Sequence, residues 1–80
     1  MSVVIQNILP KSLAAKNGIK SSEILLTVNG QEIRDFLDLE LYTSDYEFEL
    51  EIMTPPGEKR IVKIQREEKS FLGIELEPYN

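Results

Sequence analysis

The stretch from Ser12 to Gly30 constrains the fold of this chain more than any other part of the sequence. Ser12 has a short oxygen-bearing side chain that can cap the free N–H groups at the start of a helix. The four residues after it, Leu-Ala-Ala-Lys, are good helix formers. Gly18 is the residue type that ends a helix in a left-handed conformation. The sequence therefore predicts a short helix from Ser12 to Asn17, followed by a tight turn.

A strand and a second tight turn follow this helix. Ile24, Leu26 and Val28 alternate with Leu25 and Thr27, which predicts a strand that buries the first three side chains. Asn29-Gly30 is the strongest short-range signal for a hairpin turn. Gln31-Glu32-Ile33 is then expected to form a brief return strand.

This order of elements resembles the most characteristic part of a PDZ domain. The residues that match the family pattern are Ser12, Ala14, Gly18, Ile19, Ile24, Leu25, Val28, Asn29 and Gly30. Ser22-Glu23 stands where the family usually has Gly-Asp. The acid is kept and a glycine is lost, so the turn before the strand is where a difference from the family is expected.

Further strands are predicted on both sides of this stretch. Val3–Ile8 is rich in β-branched residues and should end before Pro10, which cannot donate a backbone hydrogen bond. Phe48, Leu50 and Ile52 alternate with glutamates, and a Pro-Gly turn leads to a return strand at Ile61–Arg66. After a charged break at residues 67–69, Leu72, Ile74 and Leu76 share one face of the last predicted strand, and Glu75 and Glu77 lie on the other. The predicted core is Ile24, Leu26, Val28, Leu39, Leu50, Ile52 and Ile64.

A second helix is predicted from Asp35 to Thr43. Asp35-x-x-Asp38 is a carboxylate variant of the capping box. Its large side chains lie on two faces, because Phe36 pairs with Leu39 and Leu37 pairs with Leu41 at helical spacing. Two interpretations remain open. Either the helix is wedged deeply between the sheet and the loops, or one face packs inward and the other lines a groove.

Composition limits the chemistry that the chain can perform. Its 80 residues suffice for one small domain, residues 1–80, and they include no cysteine and no histidine. Without these residue types, a nucleophile–base pair or a thiolate metal site is not expected, so the chain is interpreted as non-catalytic and without a cofactor of its own. The net charge of −5 argues against a nucleic-acid partner, and no apolar run is long enough for a membrane span.

The C-terminal stretch Phe71-Leu72-Gly73-Ile74 is similar to the carboxylate-binding loop of PDZ domains, a Gly-Leu-Gly-Phe-type motif, with Phe71 in place of the first glycine. The resemblance implies an α+β, mainly β fold: a PDZ-like, partly open antiparallel barrel of five or six strands with two helices. In the bacterial, circularly permuted form, the strand after the loop is C-terminal and pairs with Val3–Ile8. A basic residue usually precedes the loop, and Arg66 or Lys69 can take that place.

The resemblance also implies a binding site for a C-terminus or an extended peptide, which adds as a strand beside the loop. The expected peptide-binding residues are Leu72, Gly73, Ile74, Glu75 and Leu76 on the loop and strand, with Asp38, Leu41 and Tyr42 on the helix. Backbone N–H groups of Leu72, Gly73 and Ile74 would bind the terminal carboxylate. A Gly73→Val substitution is expected to damage binding more than stability.

The whole chain also resembles the N-terminal PDZ-like segment of bacterial radical-SAM-type iron–sulfur proteins, often described as FeS oxidoreductases. The shared residues are Ile5–Pro10, the stretch Ile33-Arg34-Asp35-x-x-Asp38 and Leu72–Leu76. This resemblance implies a domain excised from a larger cytoplasmic bacterial enzyme, whose cysteines would follow this point.

Two functions therefore remain. The first is a protein or peptide interaction module. The alternative is a structural docking domain of the iron–sulfur enzyme, with the rest of its own parent chain as partner and no free peptide ligand. A third and weaker option is the regulatory PDZ domain of an envelope protease.

Overall fold

The computed structural model describes residues 3–55, 57–66 and 70–77. Its elements, in chain order, are β1 (Val3–Ile8), α1 (Leu13–Lys16), β2 (Ile24–Val28), β3 (Gln31–Glu32), α2 (Phe36–Tyr42), β4 (Glu47–Thr54), β5 (Glu58–Gln65) and β6 (Ile74–Leu76). The mainly β, α+β class with two helices is confirmed. Pro56 of the predicted Pro-Gly turn and the charged break at 67–69, with Lys69, lie outside the described residues.

The six strands form one open antiparallel sheet. Its order is β5-β4-β2-β1-β6, and β3 pairs with β2. β1 lies antiparallel to β6, with Ile8 opposite Ile74 and Ile5 opposite Leu76, so the predicted pairing of the first and last strands is confirmed. Among the described residues, β6 has no strand on its other side. That side is therefore a free edge of the sheet.

Both helices begin at the residues predicted to cap them. Ser12 Oγ accepts a hydrogen bond from the Ala15 N–H at 3.1 Å and donates one to the Leu9 carbonyl at 2.7 Å. Asp35 Oδ1 accepts from the Asp38 N–H at 3.1 Å. The second bond differs from a capping box, because Asp38 Oδ2 accepts from the Arg34 N–H at 3.1 Å, one residue before the cap.

The core prediction is confirmed for most residues and wrong at the first half of β2. Val28, Leu39, Leu50, Ile52 and Ile64 are buried, whereas Ile24 and Leu26 are only partly buried. Leu25 takes their place and is fully buried. The register between β2 and β4 shifts between Leu25 and Thr27, and this irregularity breaks the strict alternation, so that Leu25 and Val28 are both buried. Ile33 is buried as well, but it lies just beyond β3 rather than within the predicted return strand.

The turn before β2 is formed without the glycine that the PDZ pattern has there. Ser22 adopts the left-handed backbone conformation, with φ at 73°. Its N–H donates to the Ile5 carbonyl at 2.8 Å. An L-residue in this conformation is strained by about 1–2 kcal/mol. The turn is therefore retained at some energetic cost, and Glu23 follows it directly.

Glu23 is a buried carboxylate at the centre of a hydrogen-bonded cluster. Arg60 binds it with both terminal nitrogens, at 2.6 Å to Oε2 and 2.9 Å to Oε1. Thr54 Oγ1 donates to Oε2 at 2.6 Å, and the Lys20 N–H donates to Oε1 at 2.8 Å. Arg60 also donates to the Gly18 carbonyl at 3.2 Å. The cluster joins the α1–β2 turn to the β4–β5 hairpin, and buried charges need this degree of pairing.

These partners lower the pKa of Glu23 to about 2, chiefly through the Arg60 hydrogen bond, with Thr54 and Lys20 adding to it and burial opposing it. Because the folded-state pKa lies below the ordinary value of 4.5, the cluster stabilises the fold fully above about pH 5. That stabilisation, roughly 3 kcal/mol, is lost as the pH falls from about 5 to 2.

We expect urea unfolding of the Glu23→Gln variant to depend less on pH in this range than wild type does. The matched control is Glu58→Gln, an exposed glutamate on the β4–β5 hairpin that supplies Thr54 and Arg60 to the cluster. Equal pH dependence in wild type and Glu23→Gln would contradict the role given to the cluster.

Candidate functional site

A groove runs between the C-terminal loop and α2. Its volume is about 670 Å³. The loop and strand side is formed by residues 70–75, the helix side by Phe36, Leu39, Glu40 and Thr43, and the remaining wall by Leu9, Ser44 and Arg66. The groove therefore lies along the free edge of β6.

Three consecutive carbonyl groups hold the loop against the N-terminal part of the chain. The Phe71 and Leu72 carbonyls accept hydrogen bonds from the N–H groups of Leu13 and Ala14, both at 3.0 Å. The Gly73 carbonyl accepts from the Leu9 N–H at 2.9 Å. The first turn of α1 therefore determines the direction of the loop backbone.

The same hydrogen bonds determine where the N–H groups of the loop point. A trans peptide unit is planar, so its N–H is directed opposite to its carbonyl oxygen. The N–H groups of Leu72, Gly73 and Ile74 belong to the three peptide units just described, and each therefore points away from the Leu9–Ala14 segment. Leu9 lines the groove, but Leu13 and Ala14, which bind two of the three carbonyls, belong to α1, and the described lining includes no residue of α1. We infer that these three N–H groups face the groove side of the loop.

Gly73 is required in this loop by both conformation and space. Its φ of 80° is in the left-handed region. A Cβ built on Gly73 would overlap the Cβ and Oγ of Ser12, which is itself fully buried. The loop backbone thus lies directly against the N-cap of α1.

The structure brings together half of the residues expected at the peptide site. Leu72, Gly73, Ile74 and Glu75 line the groove. Leu76 lies further along β6 and lines an adjacent cavity instead. The three helix residues expected there, Asp38, Leu41 and Tyr42, are not part of the described lining.

Contacts and exposure elsewhere account for the positions of these three helix residues. Asp38 is turned back to the start of α2, where it accepts from the N–H and Nε of Arg34 at 3.1 and 3.2 Å. Leu41 is 66% exposed to solvent. Tyr42 is partly buried against the core. α2 is therefore not wedged deeply, because its Leu37–Leu41 face is exposed. The face that packs inward through Leu39 is also the face that lines the groove, through Phe36 and Leu39.

Phe36, Leu39, Glu40 and Thr43 take the positions given to Asp38, Leu41 and Tyr42. They follow each other at intervals of three, one and three residues, which is the pattern of one helix face. The signal that identifies this face is Leu39, which is predicted and observed to be buried. Its neighbours at helical spacing, rather than the residues beside Leu41, form the wall of the groove.

Arg66 contributes the positive charge of the groove wall. Its NH2 donates to the Thr43 carbonyl at 2.6 Å, next to the end of α2. The guanidinium also lies 5.7 Å from the centre of the Phe48 ring, in the range of a cation–π contact. Its Nε is buried and has no hydrogen-bond partner among the described residues. Arg66 is thus held by the core while its guanidinium borders the site.

A second cavity continues the groove toward the start of α2. Its volume is about 460 Å³. It shares Phe36 and Glu75 with the groove and is further lined by Val3, Gln6, Arg34, Asp35, Leu37, Leu76 and Glu77. The two cavities together follow the whole free edge of β6.

No helix among the described residues is long and apolar enough to cross a membrane. Within the same residues, no group of three or more acidic side chains is arranged to hold a metal ion. No protein-family model matches this chain.

Proposed function

We propose that this chain is a PDZ-like domain of the circularly permuted bacterial type, and that it binds the C-terminus or an extended segment of a partner protein. The observation that carries the proposal is the arrangement of the 71–73 loop. Its three carbonyls are all occupied by Leu9, Leu13 and Ala14, which leaves three successive N–H groups directed to the other side.

The loop N–H groups supply the anion site. A terminal carboxylate would accept hydrogen bonds from the N–H groups of Leu72, Gly73 and Ile74, and charge-assisted bonds of this kind are about twice as strong as neutral ones. Arg66 on the groove wall adds positive charge nearby. No catalytic group takes part in this chemistry, which is recognition by the main chain.

The rest of the groove supplies the peptide backbone and side-chain contacts. The free edge of β6 offers main-chain groups to an added antiparallel strand. Leu9, Leu39, Leu72 and Ile74 provide apolar surface for the last side chain of the peptide. Affinity should be about micromolar, because the peptide loses conformational freedom and gains one pocket and a few hydrogen bonds.

A second candidate is the docking domain of a larger radical-SAM-type iron–sulfur protein in the bacterial cytoplasm. The observation that favours it is the outer face of α2, where Leu37 is 71% exposed and Leu41 66% exposed. In this case the rest of the parent chain would cover the domain, and a free peptide would not bind.

An amide chemical-shift titration distinguishes the two candidates. Peptides that end in a hydrophobic residue are compared as the free acid and as the C-terminal amide. We expect the free acid to bind more tightly, with the largest shifts at Leu72, Gly73 and Ile74. Equal binding of both peptide forms would contradict the carboxylate site, and binding by strand addition alone would then remain as the explanation. Lack of any response would favour the docking domain.

A variant pair tests the position of the site. Glu40→Trp places a large side chain in the groove, whereas Glu49→Trp places it at an exposed position of β4, outside the lining. We expect the first variant to weaken peptide binding by about tenfold or more and the second to bind as wild type does. Equal binding by both variants would show that the ligand does not occupy this groove.

A further inference from the structure

The second cavity lies where the upstream part of a bound peptide would pass. In the proposed function the peptide C-terminus is held by the loop that precedes β6 and the peptide lies antiparallel to β6, so its upstream residues extend toward Glu77. The second cavity adjoins the groove at Phe36 and Glu75 and extends to Leu76 and Glu77. A peptide longer than the groove therefore continues into this cavity.

Strand geometry identifies the peptide residue that enters it. Alternate side chains of a strand point to the same face, so the terminal residue and the residues at −2 and −4 all face α2. At about 3.3 Å per residue, position −4 lies about 13 Å from the terminal residue. Along α2, at about 1.5 Å per residue, Asp35 lies about 12 Å from Thr43. Thr43 lines the groove and Asp35 lines the second cavity, so position −4 reaches the start of α2.

The cavity offers acidic groups around an apolar floor. Asp35, Glu75 and Glu77 line it together with Val3, Phe36, Leu37 and Leu76. Glu75 accepts a hydrogen bond from Asn7 Nδ2 at 3.0 Å, which leaves its negative charge in place. Arg34 also lines the cavity, but its Nε is paired with Asp38 Oδ2 at 3.2 Å. The surroundings thus combine apolar surface for an alkyl chain with negative charge for its end.

We propose that this cavity is a subsite for a lysine or arginine at position −4 of the peptide ligand. The inference rests on the proposed peptide-binding function and adds a ligand class to it. A long basic side chain would lay its methylene groups over Phe36 and Leu76 and bring its cationic end to Asp35 and Glu77. The domain would then select C-termini that carry both a hydrophobic last residue and a basic residue four positions earlier.

The test uses free-acid peptides that differ only at position −4, with Lys, Ala or Glu, and have the same hydrophobic end. We expect the Lys peptide to bind about fivefold more tightly than the Ala peptide and the Glu peptide more weakly than both, since solvent-exposed ion pairs are of this strength. The Lys advantage should shrink at high salt. Shifts of the Phe36, Leu37 and Leu76 amides should distinguish the Lys peptide from the Ala peptide.

A matched pair of charge variants locates the effect. Asp35→Asn combined with Glu77→Gln removes two charges from the cavity, and asparagine still caps α2. Glu49→Gln combined with Glu58→Gln removes two charges at exposed positions outside both cavities. The Lys preference should disappear in the first pair and persist in the second.

The outcomes separate this inference from the proposed function. Binding of all three peptides with equal affinity would overturn the −4 subsite while the peptide-binding function stands. A Lys preference that survives the loss of Asp35 and Glu77 would also overturn it. Failure of every peptide to bind would overturn both.

Discussion

Truncating Leu25 to alanine will lower the free energy of unfolding by about 2–5 kcal/mol, whereas truncating its neighbour Leu26 will lower it by roughly 1 kcal/mol. The reason is the register shift in β2, which leaves Leu25 fully buried and Leu26 partly exposed. Ile52, which lies opposite Leu25 on β4 and is also fully buried, should behave like Leu25.

Urea unfolding of the three variants measures this difference. All three substitutions remove a large aliphatic side chain from neighbouring strands, so Leu26→Ala is the matched control. A domain of this size has a total stability of only about 5–10 kcal/mol, and the Leu25→Ala variant should lose a large part of it. Equal losses for Leu25→Ala and Leu26→Ala would contradict the different burial of the two side chains, and a larger loss for Leu26→Ala would indicate that β2 keeps a strict alternation.

The second large effect is expected at Gly73. A substitution there meets two penalties, the left-handed φ of 80° and the overlap with Ser12. The first is about 1–2 kcal/mol and the second about 1–3 kcal/mol, so Gly73→Val should destabilise the fold by up to about 5 kcal/mol. We therefore expect this variant to lose a large part of its stability in addition to the loss of binding expected from the sequence.

Gly30 separates the two penalties. Its φ is 81°, but a Cβ built there has no atom within 4 Å. We therefore expect Gly30→Ala to show the conformational penalty alone and Gly73→Ala to show both. Replacing Ser12 by glycine removes the Cβ and Oγ that the new side chain would overlap, and glycine is an acceptable N-cap residue. The double variant Ser12→Gly with Gly73→Ala should therefore be more stable than the sum of the two single effects predicts. Equal unfolding midpoints for Gly30→Ala and Gly73→Ala would contradict the contact with Ser12.

Local chemistry made several parts of the fold predictable. Ser12 and Asp35 cap the two helices because their side-chain oxygens reach backbone N–H groups within the same turn. The β4–β5 hairpin follows from its apolar alternation. Its two strands pair without a register shift, from Glu47 opposite Gln65 to Thr54 opposite Glu58. Such features depend on residues close together in the sequence, and a pattern of residue types expresses them directly.

Other features depend on contacts between elements that are distant in the sequence. The burial of Leu25 depends on an irregularity in the pairing of β2 with β4. No residue type within β2 indicates this irregularity. The groove face of α2 depends on how the helix is rotated against the sheet, and Arg34 turns Asp38 away from the groove. Leu72–Glu75 line the groove as one consecutive stretch of the chain, so a local motif is enough to group them. The helix wall required the tertiary arrangement.

The pairing of β1 with β6 has a consequence for how the protein reaches its native state. The loop at residues 71–73 is shaped by hydrogen bonds to Leu9, Leu13 and Ala14, which come from the opposite end of the described sequence. Contacts of such large sequence separation form late and slow the folding of a domain. Until residues 70–77 emerge from the ribosome, β1 lacks its second neighbour and remains an unprotected edge, open to association with other chains. The pairing of β6 with β1 therefore forms the groove and protects the edge of the newly made sheet at the same time.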